Sequence, residues 1–215
     1  MERITIILAD DHKLVRQGVR SLLEMQSGYD VIGEASDGEE ALKMIETLEP
    51  DVAFLDVMMP NMNGIEAARV AHQRGYKTKI IFLTMHANAT YAVRALQSGA
   101  LAYVLKDSDF EEIIKAIESV REGRRYLSAD IAEEVFEMLL NADTKKENPI
   151  DLLSPREREI LQYIAEGKTN ASIAEKLTLS VRTVESHRLN LMKKLRINSH
   201  ADLVKFAIHN GLVSP

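Results

Sequence analysis

Apolar and polar positions change period along the chain. Ile4-Thr5-Ile6-Ile7-Leu8-Ala9 is a short β-branched run ending in Asp10-Asp11, after which Leu14, Val15, Gly18, Val19, Leu22 and Leu23 recur at helical spacing. The alternation repeats. Strand patterns fall at Val31–Ala35, Val52–Leu55, Ile80–Leu83 and Ala102–Leu105. Helical stripes lie on Ala41, Leu42, Ile45 and Leu48, on Gly64 to Gly75, on Tyr91 to Ser98, and on Phe110, Ile113, Ile114, Ile117 and Val120. Five βα units with short, non-alternating strands predict an α/β fold, a doubly wound parallel sheet covered on both faces.

Beyond residue 125 no strand pattern is visible. Ser128 to Leu140 reads as an amphipathic helix, and Asn141 to Ile150, polar with one Pro and no period, as a linker. Four short helices follow. Ser154-Pro155-Arg156-Glu157 opens the first, with a capping serine, Pro at the first helical position and Glu three residues on. Gly167 closes it, Thr169 to Leu177 and Val181 to Leu195 are the next two, and Ser199 with Asp202 opens a fourth that stops at Gly211. The organisation expected is therefore residues 1–125 as one domain, 126–150 as a linker helix and flexible linker, and 151–215 as an all-α four-helix domain.

Charge sharpens this division. The 215 residues carry a net −6, but residues 1–125 contribute −5, residues 126–150 −4, and residues 151–215 +3. A basic tail on an acidic body points to a nucleic-acid partner for the tail. There is no Cys, which excludes disulfides and thiolate metal sites. The longest apolar runs are strand-length, so neither a membrane span nor a signal peptide is expected, and a cytoplasmic location is the default.

In an open parallel sheet, ligands bind beyond the carboxyl ends of the strands. Asp10, Asp11, Asp56, Thr84 and Lys106 all stand at such ends. Three carboxylates in one crevice repel unless a cation neutralises them, and an oxygen-only donor set favours Mg²⁺ with a phosphate. Lys106 and Thr84 opposite would cradle phosphoryl oxygens, and a carboxylate can itself take a phosphoryl group as a nucleophile. His12, next to a hard oxygen site, reads as an exposed loop histidine, with coordination as the alternative. Tyr103 reads equally as an interior strand aromatic or as a moving part.

The runs Ala9-Asp10-Asp11-His12, Phe54-Leu55-Asp56-Val57-Met58-Met59-Pro60-Asn61-Met62-Asn63-Gly64, Phe82-Leu83-Thr84 and Tyr103-Val104-Leu105-Lys106 resemble the receiver domain of two-component response regulators over about residues 3–122. The resemblance implies a flavodoxin-like five-stranded sheet of order 2-1-3-4-5. It implies Asp56 as phosphoacceptor, Mg²⁺ held by Asp10, Asp11, Asp56 and the Met58 backbone carbonyl, Thr84 and Lys106 against the phosphoryl group, and Tyr103 as a switch. Met58 and His86 fall where receivers tune dephosphorylation. Lys106-Asp107 departs from the Lys-Pro of many receivers.

In the tail, Ile173, Ala174 and Leu177, a tight turn, then Val181, Val184, Leu191 and Leu195 form a helix-turn-helix pattern. Its outward face carries Arg182, Glu185, Ser186, Leu189 and Lys193, flanked by His187 and Arg188. Thr183, Lys193, Lys194 and Arg182 suit phosphates. Glu185, Ser186, Arg188 and Leu189 suit base edges or the groove. Leu153-Ser154-Pro155-Arg156-Glu157, Gly167-Lys168-Thr169-Asn170 and Ser180 to His187 resemble a LuxR-type DNA-binding domain, which adds Thr169 and Asn170 to the DNA-facing set. The two resemblances together are those of the NarL/FixJ regulators. They imply a sensor histidine kinase and promoter DNA as partners, a homodimer on activation, RNA polymerase as a further contact, and no turnover of an external substrate. Two other readings compete. A phosphatase with an aspartyl nucleophile usually needs a second acid near that nucleophile, where this chain has Met58. A regulator sensing an apolar ligand needs an apolar cavity, where this chain has a charged crevice.

Overall fold

A computed structural model describes residues 3–141, 149–210 and 212–213. The described residues form two compact units, the first ending at Asn141. The elements of the first unit are β1 (Ile4–Ala9), α1 (Lys13–Glu24), β2 (Tyr29–Ala35), α2 (Gly38–Leu48), β3 (Val52–Leu55), α3 (Gly64–Gln73), β4 (Lys79–Thr84), α4 (Ala89–Gln97), β5 (Ala102–Leu105), α5 (Phe110–Arg121), β6 (Tyr126–Leu127) and α6 (Ala129–Asn141). Every strand pair is parallel, and the order is β2-β1-β3-β4-β5-β6. The expected 2-1-3-4-5 order is present, with one strand added.

Alternation along each strand sends neighbouring side chains to opposite faces. Ile6, Leu8, Phe54 and Ile81 pack with Leu23 of α1 and Ile113 and Ile117 of α5. Ile7, Ala9, Leu55 and Phe82 pack with residues of α2, α3 and α4, and with Ile131 and Val135 of α6. Both faces are covered at β1, β3, β4 and β5, which is why these strands read as nearly unbroken apolar runs, whereas β2 at the sheet edge carries Asp30 and Glu34.

Two features of this unit correct the sequence reading. Tyr126 and Leu127 pair with Ala102 and Tyr103, so a sixth strand lies where none was expected; two residues are too few to carry a period of two. The helix that follows buries Ile131 and Val135 and packs against α4, so it is part of the first unit. In α1 the apolar stripe is only half used. Leu23 is buried, whereas Leu14 is 83% and Leu22 is 41% exposed.

The second unit has a 3₁₀ turn at Pro149–Leu152, then α7 (Pro155–Ala165), α8 (Asn170–Lys176), α9 (Val181–Leu195) and α10 (His200–His209). Ser154, Thr169, Ser180 and Ser199 each accept a backbone N–H at a helix start, and Ser154 with Glu157 forms the full capping box. The α8–α9 connection turns on Thr178, which holds φ of 53° without being glycine. Ile173, Ala174 and Val184 share one cluster with Ile160, Tyr163 and Ile164 of α7. Leu191 joins Leu161, Leu203 and Ala207 in another. Residues 142–148 of the expected linker, and Gly211 as a helix stop, lie outside the described residues. Among the described residues no helix is long and apolar enough to cross a membrane.

Candidate functional site

The sheet ladder continues one residue past three strand ends and so fixes the site backbone. Asp10 N donates to Ala35 O at 3.1 Å, Asp56 N to Ala9 O at 2.8 Å, and Lys106 N to Thr84 O at 2.9 Å. Thr84, wholly buried, ends β4, which lies between β3 and β5. The loop after Asp56 is held by Gly64 N donating to Val57 O at 3.1 Å. Gly64 runs so close to the Asp56 backbone that an added Cβ would lie 1.9 Å from its carbonyl oxygen.

Onto this frame the side chains bring opposite charges together. Lys106 Nζ lies 2.6 Å from Asp10 Oδ2 and 2.7 Å from Asp56 Oδ2. Burial works against the ammonium, but the charge of Asp56 and hydrogen bonds to Asp10 and Asp56 outweigh it, so Lys106 is held above its ordinary value. Asp56 Oδ1 is buried and has no hydrogen-bond partner. Asp10, Asp11, His12 and Asp56 each offer a donor atom within 4.8 Å of the others. Three carboxylates against one ammonium leave two negative charges, matching a divalent cation, and hard oxygens suit Mg²⁺. Met58 is buried on the loop after β3.

A second constellation adjoins the first. Tyr103 is fully buried on β5, and its hydroxyl donates to His86 O at 2.7 Å. Burial, then the charge of Asp56, then Tyr91 push that hydroxyl far above its usual range. The His86 ring meets the Tyr91 ring edge-on at 5.4 Å, and His86 N makes a long 3.4 Å contact to Thr84 Oγ1. Tyr103 therefore props the loop between β4 and α4. Sequence reasoning missed Arg16, whose guanidinium hydrogen-bonds the Asp10 carbonyl and reaches Glu34 at 3.4 Å. Its only signal was a cation one turn into α1.

In the second unit α9 turns Arg182, Glu185, Ser186, Leu189 and Lys193 to solvent, with Leu189 60% exposed. Thr183, His187 and Arg188 are half-buried. Thr183 Oγ1 lies 2.8 Å from Ser180 Oγ, and Arg188 Nη2 lies 3.3 Å from His200 Nδ1. Thr169 caps α8 and Asn170 begins it. Lys194 has a contact that its sequence reading did not include: its ammonium, on a side chain 43% exposed, pairs with the buried Glu157 at 2.7 Å, across from α9 to α7. A carboxylate inside the capping box attracts a cation that the helical wheel alone assigns to solvent.

Comparisons with known proteins agree on both units. The family described as response regulator receiver domain matches residues 6–118, and that of bacterial regulatory proteins, luxR family, matches residues 151–207. The chain is 39% identical over 209 residues to the response regulator UvrY of Escherichia coli strain K12, covering 97% of this chain and 95% of that one. It is 37% identical over 211 residues to the transcriptional regulatory protein LiaR of Bacillus subtilis strain 168, covering 98% and 100%. Among solved structures, one of two RcsB dimers bound to two parallel DNAs is similar, with a TM-score of 0.61, 26% identity and coverage of 97% and 99%. By its two matched domains and its full-length relatives, the chain belongs to the NarL/FixJ family of two-component response regulators, a receiver domain joined to a LuxR-type DNA-binding domain.

Proposed function

We propose that Asp56 accepts a phosphoryl group from the phosphohistidine of a sensor histidine kinase, and that the modified chain binds promoter DNA as a dimer. The observation that carries this reading is the division of labour on one carboxylate: Lys106 occupies Oδ2, while the buried Oδ1 has no partner. A carboxylate oxygen of Asp56 is the nucleophile. It forms the new O–P bond in line with the breaking P–N bond, and the kinase imidazole departs with the electron pair. Asp10, Asp11, Asp56 and the Met58 carbonyl would hold Mg²⁺, which supplies neutralisation of the phosphoryl oxygens. Lys106 balances charge from the other side, and the Thr84 hydroxyl orients toward the added oxygens. Met58, rather than an acid, two residues beyond Asp56 favours a stoichiometric acceptor over a turnover enzyme.

The added charge lies beside Thr84, whose neighbour in the β4–α4 loop, His86, is propped by Tyr103. Rearrangement of that loop shifts α4, against which α6 packs. Dimerisation follows, and the helix-turn-helix is freed for DNA and for contact with RNA polymerase in the cytoplasm. Thr169, Arg182, Thr183 and Lys193 serve phosphates, and Glu185, Ser186, Arg188 and Leu189 the major groove. The test is gel filtration and footprinting with and without beryllofluoride and Mg²⁺. Wild type is expected to dimerise and protect promoter DNA only with the phosphate mimic. An Asp56→Asn chain that still responds would overturn the proposal.

A further inference from the structure

We propose that His12 turns the acidic pocket into a mixed nitrogen and oxygen site that takes first-row transition divalent ions, Mn²⁺ foremost, through its imidazole. This rests on reading the pocket as a divalent-cation site. His12 Nδ1 lies 2.7 Å from Asp11 Oδ1 and 3.4 Å from Asp10 Oδ1. Bonds of about 2.1 Å place adjacent ligands of a six-coordinate ion about 3.0 Å apart and opposite ligands about 4.2 Å apart. The observed separations straddle the first figure, and one donor atom from each of the four residues lies within 4.8 Å of the others.

Lys106 takes Oδ2 of both Asp10 and Asp56, whereas the contacts of His12 fall on Oδ1 of Asp10 and Asp11. The ammonium and the imidazole thus use different oxygens of Asp10. Asp56 Oδ1 supplies the independent sign of a missing ligand, being a buried anionic oxygen without a hydrogen-bond partner. Among the described residues the His12 ring meets only Asp10 and Asp11. Its side chain is 69% exposed. The residue is anchored by its backbone N–H, which donates to Asp10 Oδ1 at 2.9 Å at the start of α1. Imidazole is a good ligand for transition ions, while Mg²⁺ keeps oxygen ligands and water. The carboxylates therefore set affinity for any divalent cation, and His12 adds to the transition ions alone.

The experiment measures Mn²⁺ and Mg²⁺ binding to the full chain by electron paramagnetic resonance, titrating Mn²⁺ and competing with Mg²⁺. Pulsed spectra are recorded with natural and ¹⁵N-labelled histidine. Wild type is expected to show a nitrogen coupling that changes with the label. His12→Ala is expected to lose that coupling and to bind Mn²⁺ about tenfold more weakly, with Mg²⁺ changed less than twofold. Binding of both ions without histidine coupling, or an equal loss of both in His12→Ala, overturns the role of His12 while leaving the cation site standing. Failure of wild type to bind either ion overturns the proposal together with the reading it rests on.

Discussion

The hydroxyl of Ser128 accepts a hydrogen bond from the backbone N–H of Leu105 at 3.2 Å, one residue before Lys106. It also donates to Glu112 Oε2 at 2.8 Å and lies 3.2 Å from Ser108 Oγ. One buried hydroxyl therefore joins the end of β5, the loop after it, the first turn of α5 and the start of α6. Ser128→Ala strands a buried N–H, at an expected cost of about 1–3 kcal/mol. Hydrogen exchange at Leu105 and through residues 106–109 should accelerate first. Unchanged exchange there would show that the hydroxyl does not hold the loop.

Lys106→Ala leaves Asp10 and Asp56 buried side by side without their shared cation. The expected loss is about 3–5 kcal/mol in chelator, recovered in part by Mg²⁺. Thermal melts should therefore show a larger Mg²⁺-induced rise in Tm for the variant than for wild type. Phosphodonor labelling of Asp56 should persist while phosphodonor-dependent dimerisation weakens. An unaltered dimerisation response would remove Lys106 from the switch.

Gly64 is required by its neighbour rather than by its own dihedral angles. A methyl group there meets the Asp56 carbonyl oxygen, a backbone atom with no rotamer to yield. Gly64→Ala is expected to cost about 2–3 kcal/mol and to lower acetyl phosphate labelling of Asp56 in parallel. Retention of both stability and labelling would mean that the loop has slack.

Lys194 and Lys193 are adjacent in sequence but should separate in function. Lys194→Ala removes the cation from Glu157, which keeps its bond from the Ser154 N–H, and is expected to destabilise the second unit by about 1 kcal/mol without changing the salt dependence of DNA affinity. Lys193→Ala should do the reverse. Burial raises the Glu157 pKa, but Lys194 and the bonds from Ser154 outweigh it, leaving the carboxyl below its ordinary 4.5. The stability it contributes is complete above that value and is lost as pH falls toward the depressed folded one. Acid melts of wild type and Lys194→Ala should converge in that range. Convergence at neutral pH would rule out the pair as the cause.

Much of the receiver site was legible because its residues are punctuation. Asp10, Asp56, Thr84 and Lys106 each stop an apolar run, and the rule for parallel sheets then assembles them. Arg16, Ser128 and Lys194 were not legible in these roles. Their partners lie 6 to 37 residues away, and no periodicity reports such a pairing.

The sequence by itself determined the βα alternation, the strand-end carboxylates, the capped helices of the tail and the split of charge, because each is a local pattern of polarity over a few residues. Only the tertiary structure decided that Tyr126–Leu127 completes the sheet, that α6 is packed on α4, that Lys106 takes one oxygen of Asp56 and leaves the other, and that Lys194 serves Glu157. Those outcomes depend on which distant groups reach hydrogen-bonding distance as the core closes, and a one-dimensional pattern carries no such distance.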